Sequence, residues 1–299
     1  MASISRSKLL QFNRSHLTLI RGFYSEGSLF HRSFTRLLCS PRCPKDVWFQ
    51  PPPTTHFISA LCNTKLFSSS SAMDSNLSSP IESSSSSKLV LYSYWQSSCS
   101  WRVRFALSLK GLSYEYRAVN LSRGEQFDPE FEKLNPLRYV PVLVDGGDAV
   151  IADSYAILLY LEEKYPKHPL LPLDPQLRAI NLQAASIVCS SIQPLHMLSL
   201  LKHVDERFGP NEGQAWAKLN IEKGFCALEK LLIRYAGRHA TGNQVYLADV
   251  FLAPQIAIAA ERFHIDMSKF PTLHAIYNSC KELPEFQASS PQKQPDAAL

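Results

Sequence analysis

The sequence predicts a two-part fold, an α/β domain on a small mixed sheet followed by an all-α domain, and three observations carry that prediction. Strand-like and helix-like patterns alternate through residues 88–165. A Gly146-Gly147-Asp148 turn joins the last two strand patterns. Beyond the proline-rich stretch "YPKHPLLPLDP" (165–175) only helical periodicity remains.

Taken in order, "KLVLYS" (88–93) reads as a short buried strand. An irregular loop leads to a helix over about 98–110, in which Val103, Ala106 and Leu107 form an apolar stripe flanked by Phe105 and Leu109. Gly111 is placed to end it as a C′ glycine, with apolar Leu112 following. "YEYRAVN" (114–120) alternates as a second strand, and "DPEFEKLN" (128–135) is a short helix with Pro129 in its first turn. "VPVLVD" (140–145) and "AVIA" (149–152) form a hairpin, and "DSYAILLYLEEKY" (153–165) a long helix. A crossover helix makes the first two strands parallel, and the glycine turn makes the last two antiparallel. This β-α-β-α-β-β-α order is that of a thioredoxin-like domain, spanning 87–166. Residues 165–175, with their prolines, predict a stiff link. Helices are then expected over 176–202, 213–236, 248–261 and 272–283, giving an all-helical domain over 176–285 and a C-terminal tail over 286–299.

Charge separates a further segment. Residues 1–72 carry nine Lys/Arg against two acids, a net +7, which leaves 22 basic and 24 acidic side chains, a net −2, on the rest. A near-neutral body lacks the basic face that nucleic acid requires. The first 72 residues have the Ser-, Arg- and Phe-rich composition of an organelle transit peptide, and Met73 is an alternative internal start. Either way residues 1–86, closing on the serine run 83–87, are expected to be disordered and outside the fold. The Met73 start predicts a cytoplasmic protein; a working transit peptide predicts a mitochondrial or plastid one. No apolar run approaches the roughly 18 residues of a membrane span, so a soluble protein with no membrane partner is expected. Cysteines 39, 43, 62, 99, 189, 226 and 280 show no C-x-x-C pair and no even framework, which favours free thiols in a reducing compartment.

The densest chemistry lies in "SSCSWRVRFAL" (97–107), where small hydroxyl and thiol groups meet the start of a helix. They are either caps for that helix or the seat of a thiolate, which the free N–H groups and the macrodipole would stabilise. Two further motifs favour a pocket. Pro141 follows Val140 at a strand start, where a cis bond would leave the Val140 backbone free to pair with a peptide. Asp153-Ser154 begins another helix, offering donors for a carboxylate and an acid for an amine. Together they describe a site for a small thiol peptide.

These blocks, with "NPLRYVPVLVD", "DSYAILLYLEEKYP", "IQPL" and "YLADVFLAPQI…AERF", resemble the zeta-class glutathione transferases over about 88–296. The resemblance implies the glutathione transferase fold, glutathione as cofactor, a homodimer, and isomerisation of maleylacetoacetate to fumarylacetoacetate in tyrosine and phenylalanine catabolism. It implies that Ser97 holds the glutathione thiolate with Ser98 and Cys99 beside it, and that the rest of the block, Ser100, Trp101 and Arg102, borders the cofactor. Val140 is expected to pair with the cysteinyl backbone, Asp153 and Ser154 to take the γ-glutamyl end, and Gln126 and Gln193 to contact glutathione. Arg102 and Arg262 are expected to bind the carboxylates of a dicarboxylate substrate. Arg102 and Arg104 lie two apart on a helix, so only one can face the site.

Two positions depart from the family pattern: Met197 stands where an Asn is usual, and Tyr246 where a Ser or Thr caps the helix near Asp249. His196 and His203 share a helical face, but no third ligand accompanies them and no metal is expected. Three other activities stay open on sequence: a general glutathione transferase or dehalogenase for small α-halo acids, a thioltransferase using Cys99, and a non-catalytic glutathione-binding protein.

Overall fold

The computed structural model describes residues 89–298; the expected extension 1–86, with Met73, Cys39, Cys43 and Cys62, lies outside the described residues. Strand β1 (Leu89–Ser93) leads through a four-residue loop to helix α1 (Ser98–Leu109). Strand β2 (Tyr114–Ala118), helix α2 (Pro129–Leu134), strands β3 (Val142–Asp145) and β4 (Ala149–Ala152), and helix α3 (Ser154–Lys164) complete the first part. The sheet runs β2-β1-β3-β4, with β1 parallel to β2 and antiparallel to β3, and β3 antiparallel to β4. This is the mixed thioredoxin-like topology that the sequence predicts.

Helix α1 stops where expected. Gly111 takes φ +64° and its N–H bonds the Ser108 carbonyl, while the Leu112 N–H reaches Leu107 at 2.9 Å. Only a residue without a Cβ enters that left-handed conformation cheaply, and the paired bonds satisfy carbonyls that the helix end leaves open. One face of α1 packs on the sheet through Val103 and Leu107, against Leu89, Leu91, Leu143, Ile157 and Leu161. Trp101, Phe105 and Ala106 on another face enter the core of the helical part.

The proline-rich segment is held rather than free. Leu170 and Leu171 are buried, and their N–H groups bond the Glu162 carboxylate. Buried Lys110 ties Glu162 at 2.9 Å to the carbonyls of Tyr165 and His168.

The second part comprises α4 (Pro175–Ser186), α5 (Leu198–Phe208), α6 (Glu212–Leu232), α7 (Leu247–Phe263), α8 (Pro271–Lys281) and α9 (Pro284–Ser289). Helix α7 is buried nearly throughout and carries the centre of the core. Two expectations are corrected here. The single helix over 176–202 is broken: after α4 the backbone widens into a π-turn at Ile187–Ile192, tightens into a 3₁₀ turn at Gln193–His196, and turns extended at Met197. Pro194 is the cause, because it has no N–H to give Ser190 and its ring collides with that carbonyl in an α-helix. Ile192 then lies directly over Gly224 of α6, where any added methyl would fall inside its side chain.

The described part of the expected tail, residues 286–298, packs against the rest of the fold. Phe286 stacks on Trp101 with ring centroids 4.7 Å apart, and two 3₁₀ turns, Pro291–Lys293 and Pro295–Ala298, carry Asp296 back to the sheet domain. Its one strong apolar anchor and three buried polar residues, Ser289, Gln294 and Asp296, give no periodic signal.

Candidate active site

Ser97 is the N-cap of α1. Its Oγ accepts the Ser100 N–H at 3.2 Å, so the capping role weighed on sequence is real. It does not exhaust the residue: a hydroxyl has two acceptor sites and one donor, and capping leaves the O–H to give. The Ser98 and Cys99 N–H groups at the same turn have no partner among the described residues. A half-buried hydroxyl, two open amides and a helix N-terminus thus converge on one small region, the arrangement that holds an anionic sulfur.

The Val140–Pro141 peptide is cis, and no described residue pairs with the Val140 N–H or carbonyl. At the start of α3, Asp153 takes φ +76°, an unfavourable region for a residue with a side chain. Its Oδ1 accepts the N–H groups of Tyr155 and Ala156, at 2.8 and 3.1 Å, leaving its second oxygen towards solvent. Ser154, buried behind it, accepts from Arg102 at 3.2 Å and keeps its own O–H to donate.

The two arginines of α1 point apart, as their spacing requires. Arg104 is fully coordinated by Ser93, the Tyr94 and Trp95 carbonyls and the Ser289 carbonyl. Arg102 is 1% exposed and bonds only through one terminal nitrogen, to Ser154 and to the Cys189 sulfur at 3.7 Å. Its guanidinium lies 4.9 Å from the centre of the Phe251 ring, and its Nε and second terminal nitrogen have no partner among the described residues. A buried cation with two idle donors is costly unless an anion completes it.

The broken helix supplies the opposite wall. Burial pushes the Cys189 thiol up to about 12 against the pull of Arg102, with Cys99 and Asp153 near enough to add to the rise. Cys189 is therefore an inert thiol, not a nucleophile. His196 is buried and bonds the Gln255 side chain. Burial lowers it to about 4, the Gln255 bond opposes, and the charges of Arg102 and Arg262 lower it further. His196 is neutral and within electrostatic reach of both arginines. Arg262 is exposed on the last turn of α7, its guanidinium 5.2 Å from the Phe263 ring centre, and makes no side-chain hydrogen bond among the described residues.

The other expected site residues divide. Gln126 sits on a 3₁₀ turn, Glu125–Phe127, with its Oε1 unpartnered, and half-buried Gln193 opens the turn before His196. Buried Ser98 stands in the first turn, and Ser100 gives its N–H to Ser97. Trp101 is a correction: it is 4% exposed, stacked on Phe286, and its only polar hydrogen goes to Ser289, so it packs the core instead of bordering the cofactor. His203 is exposed on α5, away from the buried His196. Cys189, Phe251 and Gln255 were missed, because a lone thiol, an aromatic and an amide in apolar helices carry no spacing signal of their own.

The chain matches known proteins. The profile of glutathione S-transferase N-terminal domains matches residues 91–169. A zeta-class glutathione S-transferase of Euphorbia esula is 58% identical over 217 residues, covering 73% of this chain and 96% of that protein. A maleylacetoacetate isomerase of Rattus norvegicus is 50% identical over 212 residues, covering 70% of this chain and 95% of that one. Among solved structures, a maleylacetoacetate isomerase from Anaeromyxobacter dehalogenans 2CP-1 with glutathione in its active site superposes with a TM-score of 0.66 at 42% identity, covering 71% of this chain and 99% of that chain. The same bacterial protein with dicarboxyethyl glutathione and citrate in its active site gives 0.65 at 41% identity, covering 71% and 98%.

Proposed function

This chain belongs to the zeta-class glutathione transferases, and on that premise we propose that it is a glutathione-dependent isomerase converting maleylacetoacetate to fumarylacetoacetate. The observation that carries the reading is Arg102: a buried guanidinium with idle donors, beside a helix start whose own donors are open. That pairing suits a small dicarboxylate reacting next to a thiolate. A dicarboxyethyl group on the glutathione held by the bacterial relative has the same chemistry.

Glutathione, when bound, would supply a thiolate able to add to the cis double bond, which thereby becomes a single bond free to turn, and to be expelled as the trans double bond re-forms. The residues of this chain have four tasks. Ser97 donates its O–H to the sulfur while the Ser98 and Cys99 amides and the α1 dipole keep it ionised. The Val140 backbone aligns the peptide, and Asp153 and Ser154 hold its amino-acid end. Arg102 neutralises a substrate carboxylate and the charge that develops next to it, and Arg262 reaches the second carboxylate from the helical side. Neutral His196, within electrostatic reach of both cations, adds no third charge beside them.

We also propose a homodimer, supported by apolar side chains left in water on the sheet domain: Phe127, Leu137 and Tyr139 are 61%, 70% and 50% exposed. Equilibrium sedimentation at monomer mass would refute it. A cytoplasmic location is proposed for chains started at Met73, and imaging of fluorescent fusions of the 1–299 and 73–299 forms tests it.

Purified full-length protein assayed with glutathione and maleylacetoacetate, beside an α-halo acid and a disulfide, tests the main reading. Rapid isomerisation with glutathione regenerated supports it. Turnover on the halo acid alone would make the protein a dehalogenase, and turnover on the disulfide alone, dependent on Cys99, a thioltransferase.

A further inference from the structure

The loop that delivers Ser97 is gripped from an unexpected direction. β1 ends at Ser93 and α1 begins at Ser98, so Tyr94, Trp95 and Gln96 alone span the gap to the capping serine. Arg104 takes the Ser93 hydroxyl and the carbonyls of Tyr94 and Trp95, at 3.1, 3.3 and 3.1 Å. Within the loop the Ser97 N–H closes a turn on the Tyr94 carbonyl at 3.0 Å, while the Trp95 N–H goes outward to the Asp296 carboxylate at 3.1 Å, across 201 positions of sequence. The other Asp296 oxygen accepts the Tyr116 hydroxyl of β2 at 2.6 Å. Asp296 is 6% exposed, and its charge also favours the buried Arg104 cation. The approach is fixed upstream: the Ser289 carbonyl accepts from Arg104, its hydroxyl accepts from Trp101, and Phe286 stacks on Trp101 and meets Phe105 edge to face.

We propose that the segment 284–298 is part of the active-site machinery, with Asp296 the positioning residue that sets the Trp95–Ser97 loop and hence the Ser97 hydroxyl. The proposal rests on Ser97 as the donor to the glutathione sulfur. Asp296 does not reach the sulfur; it acts through the backbone. Arg104 grips the loop through its acceptors and the Ser97 N–H bond is internal to it, so the Trp95 N–H is the backbone donor that ties the loop to a distant segment, and losing its partner frees the Trp95 peptide to turn. A donor to a thiolate tolerates about 0.5 Å of displacement before the charge-assisted bond weakens steeply. A loosened loop therefore raises the pKa of the bound thiol, and turnover falls most at neutral pH.

The test compares full-length wild type with D296A and D296N. Three readouts are taken: amide hydrogen exchange over residues 94–97 without glutathione, the pH dependence of thiolate ultraviolet absorbance in the glutathione complex, and kcat against pH. For D296A we expect exchange at Trp95 about tenfold faster, a bound-thiol pKa raised by about one unit, and kcat about tenfold lower near neutrality but recovering at high pH. D296N keeps an oxygen for the Trp95 N–H and should recover most of each effect. A lower melting temperature with unchanged exchange and unchanged thiol pKa would reduce the segment to packing and overturn the proposal. Should D296A not fold, Y116F removes one support of the carboxylate, and a thiol pKa that stays at the wild-type value there overturns it equally. Wild type that fails to ionise glutathione sinks the isomerase reading instead, while the exchange comparison still reports whether Asp296 holds the loop.

Discussion

Two helix starts in this molecule solve the same problem in opposite ways. Each leaves backbone N–H groups without partners in its first turn. At α7 every such group is closed: Leu247 N–H goes to the Leu170 carbonyl, Ala248 to the Asn181 side chain at 3.0 Å, and Asp249 and Val250 to the Tyr246 carbonyl. The Asp249 carboxylate folds back onto the Tyr246 and Ala240 N–H groups. Here lies the answer to the unusual Tyr246: the missing Ser or Thr cap is replaced by a linker carbonyl and by an asparagine from α4. At α1 one serine caps one amide, and the Ser98 and Cys99 amides stay open. A start that serves only the fold is closed on all sides; one that serves chemistry keeps donors in reserve.

The sharpest separation comes from removing the residue central to the open start. Ser97→Ala should cut glutathione-dependent turnover by about 10²-fold or more, the scale of losing one donor to a developing anion. Cys99→Ala should retain most activity. Steady-state kinetics on both decide it, and an inactive Cys99→Ala beside an active Ser97→Ala would reverse the assignment.

Acid should find the wall opposite the open start. In the folded chain His196 titrates near 4, against 6.5 in the unfolded chain, so the unfolded state binds the proton first as pH falls. The stability contributed by the neutral, buried ring is present above pH 6.5 and lost on the way to 4. Urea unfolding across that range should show wild type losing about 3 kcal/mol relative to H196Q. Parallel curves would mean that the imidazole is more hydrated than its burial indicates.

Opening the closed start should damage stability and spare chemistry. Asn181→Ala strands the Ala248 N–H and the Thr241 hydroxyl, costing about 1–3 kcal/mol, with kcat per folded molecule unchanged. A loss of turnover without a loss of stability would break the contrast between the two starts. The smallest effect is expected at the edge of the pocket: Arg262→Ala should raise KM for the dicarboxylate several-fold and leave glutathione affinity nearly unchanged, with Arg262→Lys recovering part. An equal loss on an uncharged electrophile would remove Arg262 from substrate recognition.

The elements around α1 were legible because local signals agree there. The strands alternate, Gly111 and Pro129 punctuate, and a short glycine turn leaves the hairpin only one direction. The break after α4 was visible only as Pro194 in an otherwise helical pattern, and periodicity outweighed it. Ser97, Val140, Asp153 and Ser154 drew notice because each stands at an element boundary or in a dense motif, while Arg102, and the role of each, came from the family resemblance. The unpaired donors of Arg102 could not be foreseen, since two arginines two positions apart on one helix look alike until the fold surrounds one with carbonyls and leaves the other over a phenyl ring. Asp296 was out of reach for a different reason. Its partners are a backbone amide and a tyrosine 201 and 180 positions away, and no local pattern encodes a bond of that span.

Gly224 has a bearing on how such a pocket can be resized. Ile192 closes against the bare backbone of α6 at that point, one residue before the turn that carries His196 past the arginines. The seat of Ile192 on α6 thus depends on position 224 carrying a hydrogen atom and no side chain. A methyl introduced there would overlap the Ile192 side chain, so Ile192, which leads directly into the Gln193–His196 turn, would have to shift. A gene library meant to admit bulkier acids would do better to hold position 224 constant and vary Ile192 to smaller residues, because the tolerance in this pair runs in one direction only.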